Sequence, residues 1–327
     1  MTEEPGSVLT QPVLSIVIPT YNRADLLENS LRLLLPQVMA YGCEVVVTDN
    51  ASTDHTAGVV SRFQQEYATI TYICQPSNLG YDRNVLTGYR QARGKYVWLL
   101  GDAYCISEDG FRAVMELLVT GDTDAVVVNG KQRVQGIPSR RYTDASELMH
   151  DLGWHMTLLN SFIMPARFAT EAMNERYIGT YFIHFGIFYE NIVRIAEPRI
   201  EWLSLNVTDD TLTDRSRGHL RSGGWLNTLF EVLVTNYFTL IMSLPHQLSL
   251  AAKLKCIGDH DRHTRMLSPL RLLRLRGNGV IHAADFRSNK QFLHFCTETP
   301  YYQIWLVFAL PLGVLKVAQW LQRMLKR

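Results

Sequence analysis

The stretch SIVIPTYNR, Ser15 to Arg23, decides how the first part of the chain is read. A β-branched run from Leu14 to Pro19 gives way at once to polar residues. Such a short, near-continuous apolar run suits a strand covered on both faces, as in a parallel sheet. The turn that follows, PTYNRAD, has no glycine. A dinucleotide-binding fold wants GxGxxG there, to bring backbone against a pyrophosphate, and a Walker A loop is absent too. If this edge meets phosphate, it must do so by other means.

Working outward, the same rhythm recurs. Apolar runs stand at EVVVTD (Glu44–Asp49), ITYICQ (Ile70–Gln75), YVWLLGD (Tyr96–Asp102) and DAVVVN (Asp124–Asn129). Helical patterns lie between them: Leu27, Leu31, Leu34 and Leu35 form a stripe, Val59, Val60 and Phe63 follow a capping sequence at Ser52 or Asp54, and Ser107-Glu108-Asp109 opens another helix. Strand, helix, strand at this spacing predicts an α/β domain with a largely parallel sheet. In such sheets ligands bind beyond the carboxyl ends of the strands. The informative residues therefore follow each run: Thr20, Tyr21, Asn22 and Arg23; Asp49, Asn50, Ser52 and Asp54; Asn78, Gly80, Asp82 and Arg83; and Asp102. Asp49 and Asp54 also have a structural reading, because DNASTD is good helix-capping sequence.

The whole chain has 327 residues, on the order of two domains at ~150 residues each. A net charge of +1 gives no pull toward nucleic acid, and none is expected as a partner. Five scattered cysteines with no CxxC pair signal neither a zinc site nor a disulfide framework, and fit a reduced cytosolic setting. The acidic, polar start MTEEPGSVLTQP does not read as a secretory signal.

From Gly130 the rhythm weakens until about Arg221. Trp225–Leu244 then has helical periodicity, with Leu226, Leu229, Phe230, Leu233, Tyr237, Leu240 and Ile241 on one face and Glu231 on the other, which predicts a packed amphipathic helix. Arg265–Gly277 interleaves Arg271, Arg274 and Arg276 with leucines. Tyr301–Arg327 is apolar and aromatic but broken by Pro311 and Lys316, so its uninterrupted stretch is too short to span a bilayer. It fits a helix in the membrane interface, with Trp305, Trp320, Arg323, Lys326 and Arg327 at headgroup level. A helix docked on the core is the other reading.

Taken together, SIVIPTYNR, EVVVTDNASTD, SNLGYDRN and GKYVWLLGD resemble the family 2 glycosyltransferases of the GT-A fold, in order over roughly the first third of the chain. The resemblance implies that Thr20, Tyr21 and Arg23 line a nucleotide pocket. It implies that Asp49 accepts hydrogen bonds from base or ribose, and that the Asn78–Gly80 turn and Asp82 close over the nucleoside. Asp102 would open the DxD signature, in which two carboxylates hold Mg²⁺ or Mn²⁺ on the diphosphate of a nucleotide-sugar donor. This chain reads Asp102-Ala103-Tyr104, so the second carboxylate is missing, and a phenol with a pKa of ~10 is a poor metal ligand. Three readings follow. The metal is held by Asp102 with another group such as a later His; or cations such as Arg83 or the Arg271 cluster replace it, leaving metal dependence weak or absent; or the site is impaired.

The family also implies an acidic base for the acceptor hydroxyl, some tens of residues further on. His184 and Glu190 are the catalytic candidates there, and Asp209, Asp210 and Asp214 follow. The expectation is an N-terminal tail (1–13), a GT-A domain (14–221), a helical region (222–300) and a membrane-interface helix (301–327). The expected reaction is sugar transfer to a hydroxyl of a lipid-linked glycan, on the cytoplasmic face of a membrane in surface polysaccharide synthesis. The alternative is a non-catalytic nucleotide-sugar- or partner-binding protein with a degenerate DxD.

Overall fold

The computed structural model describes residues 11–210 and 224–314. The chain forms two compact units. The first comprises Met1–Arg141, Leu158–Glu175 and Arg199–Leu212; the second comprises Tyr142–Thr157, Arg176–Pro198 and Thr213–Arg327.

The first unit is built on β1 (Leu14–Thr20), β2 (Glu44–Asp49), β3 (Ile70–Cys74), β4 (Tyr96–Leu99), β5 (Tyr104–Ile106), β6 (Ala125–Gly130), β7 (Arg140–Tyr142), β8 (Phe162–Pro165) and β9 (Ile200–Asp210). The sheet order is β3-β2-β1-β4-β8-β6-β9-β5, with β7 against β9. β3, β2, β1 and β4 are parallel neighbours, while β8 is antiparallel to β4 and β6. The parallel expectation holds for the part of the sheet that the apolar runs described. Here β1 lies between β2 and β4, so the strand order reverses about β1, the position at which open α/β sheets bind ligands. The register sets Thr20 beside Asp49, and Asp49 beside Cys74.

Helices α1 (Ala24–Ala40), α2 (Thr56–Glu66), α3 (Tyr81–Gln91) and α4 (Glu108–Thr120) connect these strands. The α1 stripe Leu27, Leu31, Leu34 and Leu35 is fully buried against Leu14, Ile16 and Ile18. Burial of a side chain of this kind is worth about 1.5–3 kcal/mol. Ser107 caps α4 by accepting from the Gly110 amide at 3.2 Å, as its sequence signature predicted. Asp54 settles as a cap: its carboxylate accepts from the Ala24 amide at the start of α1 (3.0 Å) and from the Thr56 amide at the start of α2 (3.1 Å).

The second unit is helical: α5 (Ala145–Leu152), α6 (Ile183–Ile192), α7 (Tyr237–Ser243), α8 (Leu250–Thr264), α9 (Pro269–Gly277), α10 (Ala283–Asn289), α11 (Leu293–Cys296) and α12 (Tyr301–Ala309). The amphipathic segment from Trp225 is helical and packed as expected, but Glu231–Asn236 is a π-helix leading into α7. Val232, Leu233 and Val234 are all buried there, three consecutive positions that one α-helical stripe would not cover together. No helix among the described residues is long and apolar enough to cross a membrane.

The division differs from the boundary at residue 221. Residues 142–157 and 176–198 belong with the helices, and side-chain packing gives the reason. Trp154, just past α5, stacks on His263 of α8 with ring centroids 4.0 Å apart, and Phe182 at the head of α6 packs on Tyr237 of α7 at 5.4 Å. The described part of the terminal segment is docked on the core by one face. Ile304, Val307 and Phe308 of α12 are buried, and Phe308 stacks on Phe286 at 4.6 Å. The buried Arg276 guanidinium donates to the carbonyls of Val307 and Leu310. The opposite face leaves Tyr301, Tyr302, Trp305 and Leu306 exposed. Trp320, Arg323, Lys326 and Arg327 lie outside the described residues.

Candidate functional site

The two loops that follow β1 and β2 hold each other. Asn22 and Ala51 both adopt left-handed backbone (φ 51° and 64°), which is unfavourable without glycine. Hydrogen bonds between the loops offset that cost at Asn22. Its amide donates to Ser52 Oγ at 2.8 Å, and its Oδ1 accepts from the Thr53 amide at 2.7 Å. Side chains thus fix a turn that contains no glycine.

At the end of β2, Asp49 is 1% exposed. Its Oδ1 accepts from the Ser52 amide at 2.8 Å and its Oδ2 from the Tyr72 hydroxyl at 2.6 Å. Burial and the Asp49 carboxylate push the Tyr72 phenol up, so it stays a donor. A carboxylate has about four lone-pair sites. Two bonds to protein leave Asp49 capacity for the N–H or O–H groups of a ligand. Beside it, Asn50 donates to Asn78 Oδ1 at 2.9 Å and accepts from the Leu79 amide at 2.8 Å. The Asn78–Gly80 turn is pinned to β2 in this way. Gly80 supplies the positive φ (83°) from which α3 starts, and Asp82 is buried in the first turn of that helix. Tyr21 is exposed at the mouth of the same loops.

Asp102 forms a second corner. The chain leaves β4 with the Leu100 amide bonded to the Val17 carbonyl at 2.9 Å, which carries the following loop to the end of β1. Asp102 is 4% exposed. Thr20 Oγ1 donates to its Oδ2 at 3.0 Å, and Arg23 Nη1 lies 3.2 Å from its Oδ1. Burial pushes the carboxyl above the ordinary range; the Arg23 guanidinium and the Thr20 hydroxyl pull it part of the way back. The Nε and Nη2 of Arg23 are buried without a hydrogen-bond partner. Tyr104 does not take the place of the absent carboxylate. A Cβ built on Gly101 would stand 2.8 Å from Tyr104 Cδ2, so the ring lies over that glycine, with the Lys131 Nζ 5.0 Å from its centroid. Its carbonyl accepts from Ser30 Oγ at 2.6 Å, which fixes the backbone of the same residue.

Thr20, Arg23 and Asp102 therefore come together, as do Asp49 and the Asn78–Gly80 turn, all in the first unit. His184 and Glu190 lie in the second, both on α6. His184 is fully buried and pushed down to about 4 by that burial. Glu190 accepts from the Tyr177 hydroxyl at 2.7 Å and pairs with Arg176 (3.2 Å) and Arg194 (3.5 Å), at the wall of a cavity of about 360 Å³. Of the acidic residues after it, Asp209 is exposed on β9 and Asp214 lies outside the described residues. Sequence reasoning missed Tyr72. The signal was there in the pleat: Val47 is paired with Tyr72, so Tyr72 sits diagonally from Asp49 on the neighbouring strand.

Residues 15–188 match the profile described as Glycosyl transferase family 2. This chain belongs to that family. The family 2 chain is 31% identical over 122 residues to the abequosyltransferase RfbV of Salmonella typhimurium, covering 37% of this chain and 36% of that one. It is 34% identical over 138 residues to the chondroitin synthase of Escherichia coli, covering 41% and 18%. It is 35% identical over 92 residues to the GalNAc(5)-diNAcBac-PP-undecaprenol β-1,3-glucosyltransferase of Campylobacter jejuni, covering 28% and 29%. The matches thus span well under half of each relative. Among solved structures, S. aureus TarS 1–349 superposes with a TM-score of 0.53 at 17% identity, over 80% of this chain and 79% of that one. The mannosyltransferase PcManGT from Pyrobaculum calidifontis, in complex with GDP-Man and Mn²⁺, gives 0.52 at 14% identity, over 88% and 86%. The fold expected of this family 2 chain, GT-A with a helical C-terminal region, is the one observed.

The fold family implies a divalent ion at Asp102, and the described residues do not fit one as they stand. Mg²⁺ and its like take several oxygen ligands around the ion. Here one carboxylate is present, each of its oxygens has a protein partner, and one of those partners is itself a cation. Among the described residues, no group of three or more His, Cys, Asp or Glu side chains is placed to hold a metal.

Proposed function

We propose that this chain transfers a sugar from a nucleoside diphosphate donor to a hydroxyl of a glycan acceptor, with little or no dependence on a divalent metal. The observation that carries this reading is the pair of buried carboxylate corners at the ends of β1, β2 and β4, in a chain of this family. Asp49, with unused acceptor capacity, receives the base or ribose; Tyr21 and the Asn78–Gly80 turn flank it, with Asp82 behind. Asp102, Thr20 and Arg23 face the diphosphate, whose leaving oxygen gains negative charge as its bond to the anomeric carbon breaks. The acceptor hydroxyl forms the new bond to that carbon and gives its proton to a base. Glu190 and His184 are the proposed acceptor-side residues. The cavity beside Glu190 favours it over His184, which is sealed from solvent.

The acceptor we propose is a lipid-linked glycan of surface polysaccharide assembly, reached at the cytoplasmic face of a membrane. The exposed Tyr301, Tyr302, Trp305 and Leu306 supply the apolar, aromatic contact that a membrane interface favours. The C. jejuni relative is named for an undecaprenol-linked substrate, which supports the same class of acceptor. Trp305→Ala/Tyr302→Ala is expected to lower co-flotation with anionic liposomes several-fold; unchanged flotation would remove this part of the proposal.

A second reading, a nucleotide-sugar-binding protein without turnover, draws on the Asp102-Ala103-Tyr104 sequence. Purified full chain incubated with UDP- and GDP-sugars separates the two. Release of the nucleoside diphosphate by hydrolysis or transfer, in EDTA as well as in Mn²⁺, is the expected result. Saturable binding with no release would establish the second reading instead.

A further inference from the structure

We infer that Arg23 receives the donor diphosphate through the side-on edge of its guanidinium, in place of the metal ion that the fold family implies. The inference rests on the donor site proposed above and names the group that carries its charge. Three observations converge on it. The first is which nitrogens are in use. Nη1 faces Asp102 at 3.2 Å, while Nε and Nη2 are both buried and have no partner. Nε and Nη2 are the two nitrogens whose N–H bonds point the same way, side by side. That fork matches two oxygens of a phosphate or carboxylate bidentately, and it is the geometry in which arginine is strongest. Buried N–H groups are rarely left unpaired, because desolvating them without a partner is costly. An unpaired fork at the ligand edge of a sheet fits an anion that arrives with the donor.

The second observation is how Arg23 is held. Asp102 takes the end-on nitrogen and is itself held by Thr20 Oγ1 at 3.0 Å, so the guanidinium is oriented before any ligand binds. Asp102 is then a positioning residue for a cation already in the protein, rather than half of a cage for one from solution. The third is Tyr104. Its ring covers Gly101 at the position where family sequence would supply the second carboxylate, so the residue there offers no oxygen pair to share a metal with Asp102.

The test uses the full chain in EDTA, titrated by NMR with uridine and UDP and with guanosine and GDP. The readout is the ratio of diphosphate to nucleoside affinity for the base that binds. The wild-type ratio is expected to be large in EDTA and to change less than about threefold with Mn²⁺. Arg23→Gln is expected to lower the ratio at least tenfold with nucleoside affinity kept, and Arg23→Lys, which keeps charge but loses the fork, to fall between. Arg23→Gln leaves Asp102 buried without its cation, so Arg23→Gln/Asp102→Asn serves if the single variant does not fold, with the same loss expected. A ratio untouched by these variants, or one that exists only with Mn²⁺, overturns the inference while leaving the donor site standing. No binding of any nucleoside or nucleotide by wild type overturns both.

Discussion

At the strand ends of the first unit, Asp49 and Asp102 are nearly buried: Asp49 accepts from the Ser52 amide and the Tyr72 hydroxyl and keeps acceptor capacity, and Asp102 is held by the Thr20 hydroxyl and the Arg23 guanidinium. On helix α6 of the second unit, Glu190 is held by Tyr177, Arg176 and Arg194, and His184 has no surface in water. All four are buried ionisable side chains. The difference is what fixes them. At the end of a strand, neighbouring strands and loops can satisfy a carboxylate from one side and leave the other open. A helix buried on all faces must satisfy or neutralise every polar group it carries. Asp49 therefore keeps acceptor capacity at its strand end, whereas His184 is stabilised only as a neutral imidazole.

The most severe way to break the comparison is Asp102→Ala. It removes one partner of a mostly buried ion pair and should cost on the order of 3 kcal/mol in urea unfolding, since an unpaired buried charge is left behind. Arg23→Gln/Asp102→Asn, which removes both charges, should recover much of that loss. A single variant as stable as wild type would mean that the pair holds nothing together.

His184 tests the other side. Its folded value of about 4 lies below the ordinary 6.5, so the folded state favours the neutral ring. This contribution is fully present above pH 6.5 and is lost as pH falls toward 4, where the unfolded chain takes up a proton that the folded chain refuses. About 2.5 pK units correspond to roughly 3 kcal/mol. The fall in urea midpoint between pH 7 and pH 4.5 should be clearly smaller in His184→Gln than in wild type. Equal falls would assign the acid sensitivity to other groups.

Tyr72→Phe is a smaller probe. It removes one hydrogen bond to the Asp49 carboxylate, worth about 1.5–3 kcal/mol when the acceptor is charged, and water at this half-buried site should reduce the loss to the lower end. Nucleoside affinity should fall in parallel, because Asp49 loses the partner that aims it. The mildest change is Gly101→Ala, whose methyl would meet the Tyr104 ring at 2.8 Å. A loss of about 1 kcal/mol is expected, and it should shrink when combined with Tyr104→Asp. If the two effects add instead, the ring is not what requires glycine there.

Much of the first unit could be read from the chain. Apolar runs such as Glu44–Asp49 became strands at their written bounds, because continuous burial on both faces leaves a sequence trace that local chemistry enforces. The same logic exposed Asp49 and Asp102 as strand-end residues. Their partners were harder to see. The Arg23–Asp102 pair joins residues from different crossover units, and only the β1–β4 neighbour relation brings them together. Asp54 had two readings of equal force in sequence, and only the meeting of α1 and α2 at its carboxylate decided for capping. Residues 142–157 and 176–198 carry no periodicity that distinguishes packing on a sheet from packing on helices. Their assignment to the second unit comes from contacts such as Trp154 on His263, which sequence spacing does not encode.

The central claim is that the open capacity at the ends of β1, β2 and β4 is a donor site. Thermal unfolding of wild type and Asp49→Ala with a panel of UDP- and GDP-sugars tests it most directly. A donor at ~100 times its Kd should stabilise the wild type by ~2.7 kcal/mol, and the account predicts a clear rise in Tm with at least one sugar nucleotide that Asp49→Ala loses. No shift with any member of the panel, or an equal shift in Asp49→Ala, would contradict it.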